Sequence, residues 1–409
     1  MTALELLGLI SAALLLQLLM GAGLFIWPRR RSVHLLQSDR GVATPSSGAW
    51  PGWRAFKVTR RAFEDAAQSQ CSFHLQPVDG QPLPRFKPGQ YLTFALANVG
   101  AAPGAEGRSL TRCYSLSDRP DPGHYRITVK RALPPPGQPD LPPGVSSSHF
   151  HDHVHEGTVL QVKAPAGHFF IDPDASVPAV LVAGGVGITP MMSMLAWCLA
   201  EQPDRPVHLF YGVRSSADHA FKAALEALAR AHPGFRLHMF YSSPEANDLH
   251  GEDYQHAGRV DVDLLSRNLP HGRHRFYVCG PPPMMQSLVP ALRAWGVPEG
   301  DIHFEAFGPA TVRPAAGGGA TEPSPPLEVQ FRRSGRTLLW NGQDANLLDF
   351  AERQHLALDS GCRTGSCGSC ETRLVSGEVA YAEKPDHEVA PGHCLLCVGK
   401  PLSALVLEA

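Results

Sequence analysis

Four cysteines near one end constrain the chain most. Cys362, Cys367 and Cys370 follow the spacing C-x4-C-x2-C, and Cys397 stands further along. Three thiolates on so short a loop meet neighbouring metal ions only if the backbone turns tightly, and Gly361, Gly365 and Gly368 supply that freedom. This spacing, completed by one distant cysteine, holds a [2Fe-2S] cluster. Structural zinc usually takes paired C-x2–4-C units. Only Cys367/Cys370 and Cys394/Cys397 make such pairs, which leaves Cys362 outside. Nine cysteines among 409 residues are too few for a disulfide scaffold, so their crowding at one end reads as a metal framework.

The length allows two to three domains. Lys and Arg number 36 against 38 Asp and Glu, a net charge of −2 that lacks the basic field nucleic-acid binding needs. No nucleic-acid partner is expected. Residues 6–27 carry no charge and, at about 1.5 Å per residue, would reach roughly 33 Å as a helix. Arg29, Arg30 and Arg31 follow this apolar run instead of preceding it, which argues against a cleaved signal peptide and predicts a cytoplasmic body. Residues 1–28 are therefore expected to be a transmembrane anchor and 29–52 a tether. A single-pass protein of the inner (cytoplasmic) membrane follows from that reading.

From residue 53 the strand-like runs 54–58, 72–75, 91–96 and 125–130 are separated by Gly- and Pro-rich turns. They predict an antiparallel β-barrel over 53–174. Between 175 and 308 strands at 179–183, 207–211, 236–241 and 275–278 alternate with helical runs at 191–199, 221–231 and 284–295. That alternation predicts a parallel α/β sheet. Residues 309–326, rich in Pro and Gly, read as a linker, and 327–409 as a third small domain, α+β in class.

Arg112-Cys113-Tyr114-Ser115-Leu116-Ser117 lies on an apparent strand, so Arg112, Tyr114 and Leu116 share one face while Cys113, Ser115 and Ser117 share the other. The segment resembles the R-x-Y-S signature of the ferredoxin-NADP reductase-like flavin reductases. The resemblance implies that Arg112 binds the flavin phosphate, Tyr114 packs on the isoalloxazine and Ser115 approaches N5. Pro88-Gly89-Gln90-Tyr91 is similar to that family's strand entry. Gly144-Val145-Ser146-Ser147-Ser148-His149-Phe150-His151 is similar to its phosphate loop, with Phe150 in place of Leu, so Gly144 and Ser147 carry over. Val129 and Lys130 join the cofactor-binding set on the same resemblance. FAD is the flavin expected, with FMN the alternative, because the insertion 134–143 lies where the outer half of FAD would be held.

Gly184-Gly185-Val186-Gly187-Ile188-Thr189-Pro190 follows a buried strand and opens a helix, an arrangement that lets backbone amides approach a phosphate. With Cys279-Gly280-Pro281-Pro282-Pro283-Met284-Met285 it resembles the nicotinamide domain of the same reductases. The resemblance implies that Gly185, Gly187, Thr189, Gly280 and Pro281 bind NADPH or NADH. It also places Cys279 beside the nicotinamide and Glu305 at the active-site edge. Arg214 and Ser215, after the second strand, favour the 2′-phosphate of NADPH.

Asp359 to Cys370, with the ending from Gly392, resembles plant-type ferredoxins. That implies Cys397 as the fourth cluster ligand, with Cys394 as the alternative. The order of flavin, nicotinamide and ferredoxin domains resembles single-chain reductases that feed oxygenases, hydroxylases, desaturases and hybrid-cluster proteins. The function expected is a membrane-anchored reductase carrying electrons from NAD(P)H through flavin and cluster to a protein acceptor. A membrane quinone or ferric reductase and a non-enzymatic redox sensor are the alternatives. His149, His151, His153 and His155 alternate and would share one face of a strand, with a metal role secondary to the phosphate loop. Cys71, Cys113 and Cys198 are expected to behave as small buried hydrophobes.

Overall fold

The computed structural model of the protein describes residues 49–99, 108–134, 142–307, 326–356, 358–363, 365, 367–382, 385 and 387–409. The anchor segment, Arg29 to Arg31, most of the tether, most of the insertion at 134–143 and nearly all of the linker lie outside them. The fold class expected above began with a transmembrane helix, and that is corrected. Among the described residues no helix is long and apolar enough to cross a membrane. The architecture described is an antiparallel barrel, an α/β domain and a small α+β domain.

The barrel is built from β1 (Arg54–Phe63), β2 (Gln70–Pro77), β3 (Tyr91–Val99), β4 (Arg108–Ser115), β5 (Tyr125–Lys130) and β6 (Val159–Ala166), ordered β4-β3-β6-β1-β2-β5 with antiparallel pairing. Alternation fixes its interior: Tyr125, Ile127 and Val129 of β5 all point into the core. Helix α1 (Val145–His153) supplies Phe150, which meets Phe73, Phe94 and Tyr114 edge-on at 5.3, 5.5 and 4.9 Å between ring centroids. Such contacts suit the ring quadrupoles. An aromatic ring at this position, where a Leu was the pattern, thus fills the barrel core. Trp50 also packs on the barrel, donating from Nε1 to the Val162 carbonyl at 3.1 Å, so the residues just before 53 belong to its wall.

The second sheet is parallel, in the order β10-β9-β8-β7-β11-β12, from β7 (Ala179–Gly184), β8 (Val207–Val213), β9 (Phe235–Tyr241), β10 (His256–Ala257), β11 (Arg275–Gly280) and β12 (Ile302–Ala306). Every residue of β7 is buried, as a central strand covered on both faces must be. Helices α2 (Ile188–Glu201), α3 (Lys222–Ala231), α4 (Val262–Asn268) and α5 (Pro282–Ala294) provide that cover.

In the last domain, β13 (Leu327–Phe331), β14 (Arg336–Trp340), β15 (Glu371–Ser376), β17 (His393–Leu395) and β19 (Leu405–Leu407) form a sheet ordered β14-β13-β19-β15-β17. A small ribbon pairs β16 (Val379–Tyr381) with β18 (Gly399–Pro401). Helix α6 (Leu347–Arg353) packs Leu347, Leu348, Phe350 and Ala351 against this sheet. Cys370, Cys394 and Cys397 belong to the same core.

Candidate functional site

The carboxyl ends of β7, β8, β11 and β12 open onto one cleft of about 510 Å³, where open α/β sheets place their ligands. Gly184, Gly185, Gly187, Gly212, Arg214, Gly280 and Pro281 line it, together with Lys130 from the barrel. Close approach explains the glycines better than flexibility does. A Cβ on Gly187 would lie 2.1 Å from the Cys279 carbonyl oxygen, and one on Gly184 only 2.6 Å from Met284 Sδ. No side chain caps the amino terminus of α2, and the glycine turn before it lines the cleft, so the positive end of the helix dipole is open to a phosphate there. The residues therefore fit a dinucleotide.

Two expected contributors turn away from the cleft. Thr189 is buried, donating to the Val186 carbonyl at 3.1 Å, and so staples the turn. Ser215 is buried too and donates to Glu245 Oε1 at 2.9 Å. Arg214 is open to solvent and leans on Asp218 at 3.3 Å. Sequence reasoning missed Arg259, Ser242 and Asp218 on the cleft wall. The strand that delivers Arg259 is two residues long, too short to leave a pattern.

On the barrel side, Tyr114 is held by its ring contacts and by a hydrogen bond shared with the Ser146 hydroxyl at 2.8 Å. Burial pushes its phenol up to about 12, so it stays neutral. Ser147 donates to the Gly144 carbonyl and accepts from the Ala132 amide, which ties this turn to the end of β5. Val129 faces the core, and its carbonyl is engaged by His151 Nε2 at 2.9 Å. Ser148 Oγ is buried without a partner in the first turn of α1, where no side chain caps the helix. An uncapped first turn with an unpaired hydroxyl fits a flavin phosphate. Arg112 instead donates to the carbonyls of Thr111 and Ser360, at 2.8 and 3.0 Å.

The histidine run does not form a strand. It lies on α1 and just beyond it, because the chain turns helical after Gly144. His149 and His153, one helical turn apart, therefore meet at 5.3 Å between ring centroids, their planes tilted by 47°, while His151 faces the opposite way into the barrel.

Cys279 and Glu305 are paired across β11 and β12. Burial raises the Cys279 thiol well above its usual range, so it is a thiol and not a thiolate. Glu305 is pushed up to about 8, first by desolvation and then by the neighbouring Cys362. Ser115 donates to Glu305 Oε2 at 3.5 Å. Glu305 thus touches the barrel strand that carries the flavin signature and neighbours the cysteine loop of the third domain.

The four cysteines of that domain lie as two pairs. Cys362 and Cys367 exchange contacts: each backbone N–H points at the other's sulfur, at 3.2 and 3.3 Å. Cys370 and Cys397 hydrogen-bond through their side chains, and the Cys397 N–H reaches Cys370 Sγ at 3.4 Å. Among the described residues no three His, Cys, Asp or Glu side chains converge as for a single metal ion. Two sulfur pairs with amides aimed at them suit two irons instead. Cys394 stands apart, its thiol pushed up to about 12 by burial. Cys113 departs from expectation: it is half-buried, shares a hydrogen bond with Thr93 Oγ1 at 3.3 Å, and meets the Cys367 side chain. Cys71 and Cys198 are fully buried, as small hydrophobes are.

A nucleotide cleft, a flavin-type barrel and a two-by-two cysteine set define an oxidoreductase that uses NAD(H), FAD and a [2Fe-2S] cluster. Comparison with known proteins agrees. Residues 69–171 match the oxidoreductase FAD-binding domain family, 181–289 the oxidoreductase NAD-binding domain family and 330–402 the 2Fe-2S iron-sulfur cluster binding domain family. The flavohem-like FAD/NAD-binding domain of nitric oxide dioxygenase from Vibrio cholerae O1 biovar El Tor is 33% identical with a TM-score of 0.54, the match covering 63% of this chain and 99% of that one. Phthalate dioxygenase reductase, described as a modular structure for electron transfer from pyridine nucleotides to [2Fe-2S], is 27% identical with a TM-score of 0.52, over 88% of this chain and 98% of that one. The flavohemoprotein of Rhizobium meliloti (strain 1021) is 41% identical over 263 residues, 64% of this chain. This chain spans only 62% of that relative's length, its FAD/NAD part. The chain is thus an oxidoreductase with an FAD-binding and an NAD-binding domain, followed by a 2Fe-2S domain.

Proposed function

We propose that the chain is the reductase component of an oxygenase, hydroxylase or desaturase system. The flavin, when bound, supplies the step between a two-electron hydride donor and a cluster that takes one electron at a time. In this reading the glycine turn after β7 and the Gly280-Pro281 turn hold the nucleotide, and Arg214 with Arg259 face its ribose end. NADPH is the donor this pair of cations favours. Ser147, Gly144 and the unpaired Ser148 hydroxyl hold the flavin phosphate. Ser115, Cys279 and Glu305 enclose the hydride-transfer point, where burial favours the neutral forms of Cys279 and Glu305. Cys362, Cys367, Cys370 and Cys397 are the cluster ligands.

The observation that carries this reading is Glu305, set between Ser115 of the barrel and Cys362 of the cysteine loop. Phthalate dioxygenase reductase, similar along nearly its whole length, supports the same order of carriers. Purified protein should contain flavin and oxidise NADPH steadily with cytochrome c as acceptor. Protein isolated without flavin, or no turnover with any acceptor, would overturn the reading and favour a redox sensor.

A further inference from the structure

Three residues on neighbouring barrel strands form one row facing the cysteine loop. Thr93 of β3 pairs with Cys113 of β4 on one side and with Lys163 of β6 on the other. Directly paired residues on adjacent strands project to the same face of a sheet. All three side chains are engaged at that face. Thr93 and Cys113 share their hydrogen bond at 3.3 Å, and Lys163 Nζ donates to the Cys367 carbonyl at 3.0 Å. Cys113 meets the Cys367 side chain. Trp53 closes the outer side, its ring 5.0 Å from Lys163 Nζ. A second cation, Arg112, donates to the Ser360 carbonyl two residues before Cys362.

We propose that Thr93, Cys113 and Lys163 form the seat that holds the cluster loop at Cys367 in its electron-receiving position, with Lys163 as the principal positioning residue. The proposal rests on the reading that electrons pass from flavin to cluster. In that step one electron leaves the reduced flavin, oxidising it by one, and arrives on the cluster, reducing it by one. None of the three seat residues gains or loses an electron. Their role is to fix a distance: a half-buried ammonium-to-carbonyl bond is stronger than a neutral one, and it anchors the loop at Cys367.

The test uses the flavin- and cluster-loaded full chain with Lys163→Met, Lys163→Gln and Lys163→Arg. N-ethylmaleimide labelling of Cys113, followed by peptide mass spectrometry, reports whether the loop is seated. Stopped-flow reduction by NADPH reports flavin and cluster separately. Lys163→Met and Lys163→Gln should speed Cys113 labelling and slow cluster reduction, each on the order of tenfold, while flavin reduction stays within about twofold. Lys163→Arg should restore both. Unchanged labelling in both neutral variants would overturn the seat. Faster labelling in a protein whose wild-type cluster NADPH never reduces would uphold the seat and sink the electron order instead.

Discussion

The Ser115 hydroxyl donates to Glu305 Oε2 at 3.5 Å, and this contact joins the flavin-signature strand of the barrel to the last strand of the α/β sheet. Glu305 lies beside Cys279 in the sheet register and close to Cys362. Glu305→Gln and Ser115→Ala should each slow NADPH-driven flavin reduction by about 10²-fold while flavin stays bound, because they disturb the point of hydride transfer and not the phosphate contacts. Single-turnover absorbance at the flavin band, with flavin content checked by denaturation, measures both.

Ligand assignment separates two neighbours. Cys397 hydrogen-bonds to Cys370, whereas the Cys394 thiol stands outside both sulfur pairs and is pushed up to about 12 by burial. Cys397→Ser should abolish the visible and electron-paramagnetic signature of the cluster. Cys394→Ala should keep it, with a stability loss of about 1 kcal/mol from the smaller side chain.

The proposed preference for NADPH rests on Arg214, the exposed cation on the cleft wall. Arg214→Ala should lower kcat/KM for NADPH about tenfold and leave that for NADH nearly unchanged. Equal losses for both donors would mean that Arg214 serves the shared part of the nucleotide.

The α/β domain should be acid-sensitive. His238 stacks on Phe210 at 4.3 Å, between His208 and His256 and near Arg236, and His208 and His238 are each lowered to about 4, chiefly by desolvation. A histidine whose folded pKa lies below the unfolded value near 6.5 contributes stability above that value. The contribution is lost as pH falls through about 4. Thermal unfolding should therefore shift down progressively between those limits, and His238→Phe should flatten the slope. An unchanged slope would contradict the assignment.

Much of this site was legible because its signals are local. The cluster spacing lies within nine residues and the glycine turns within seven, so each records its own geometry. What escaped depends on register between distant strands. Cys113 read as a small hydrophobe, yet pairing with Thr93 and Thr93's pairing with Lys163 turn it toward another domain. The histidines read as strand alternation because period two was visible, while the glycine that starts a helix before them was read only for its phosphate role. Arg259 was missed because a two-residue strand has no period at all.

The order of electron flow is the central claim, and anaerobic stopped-flow mixing of the loaded protein with NADPH tests it most directly. Flavin absorbance should bleach first, with cluster absorbance following, and Cys367→Ser should keep the first phase while losing the second. Cluster reduction that precedes flavin bleaching, or that persists in flavin-free protein, would contradict the account.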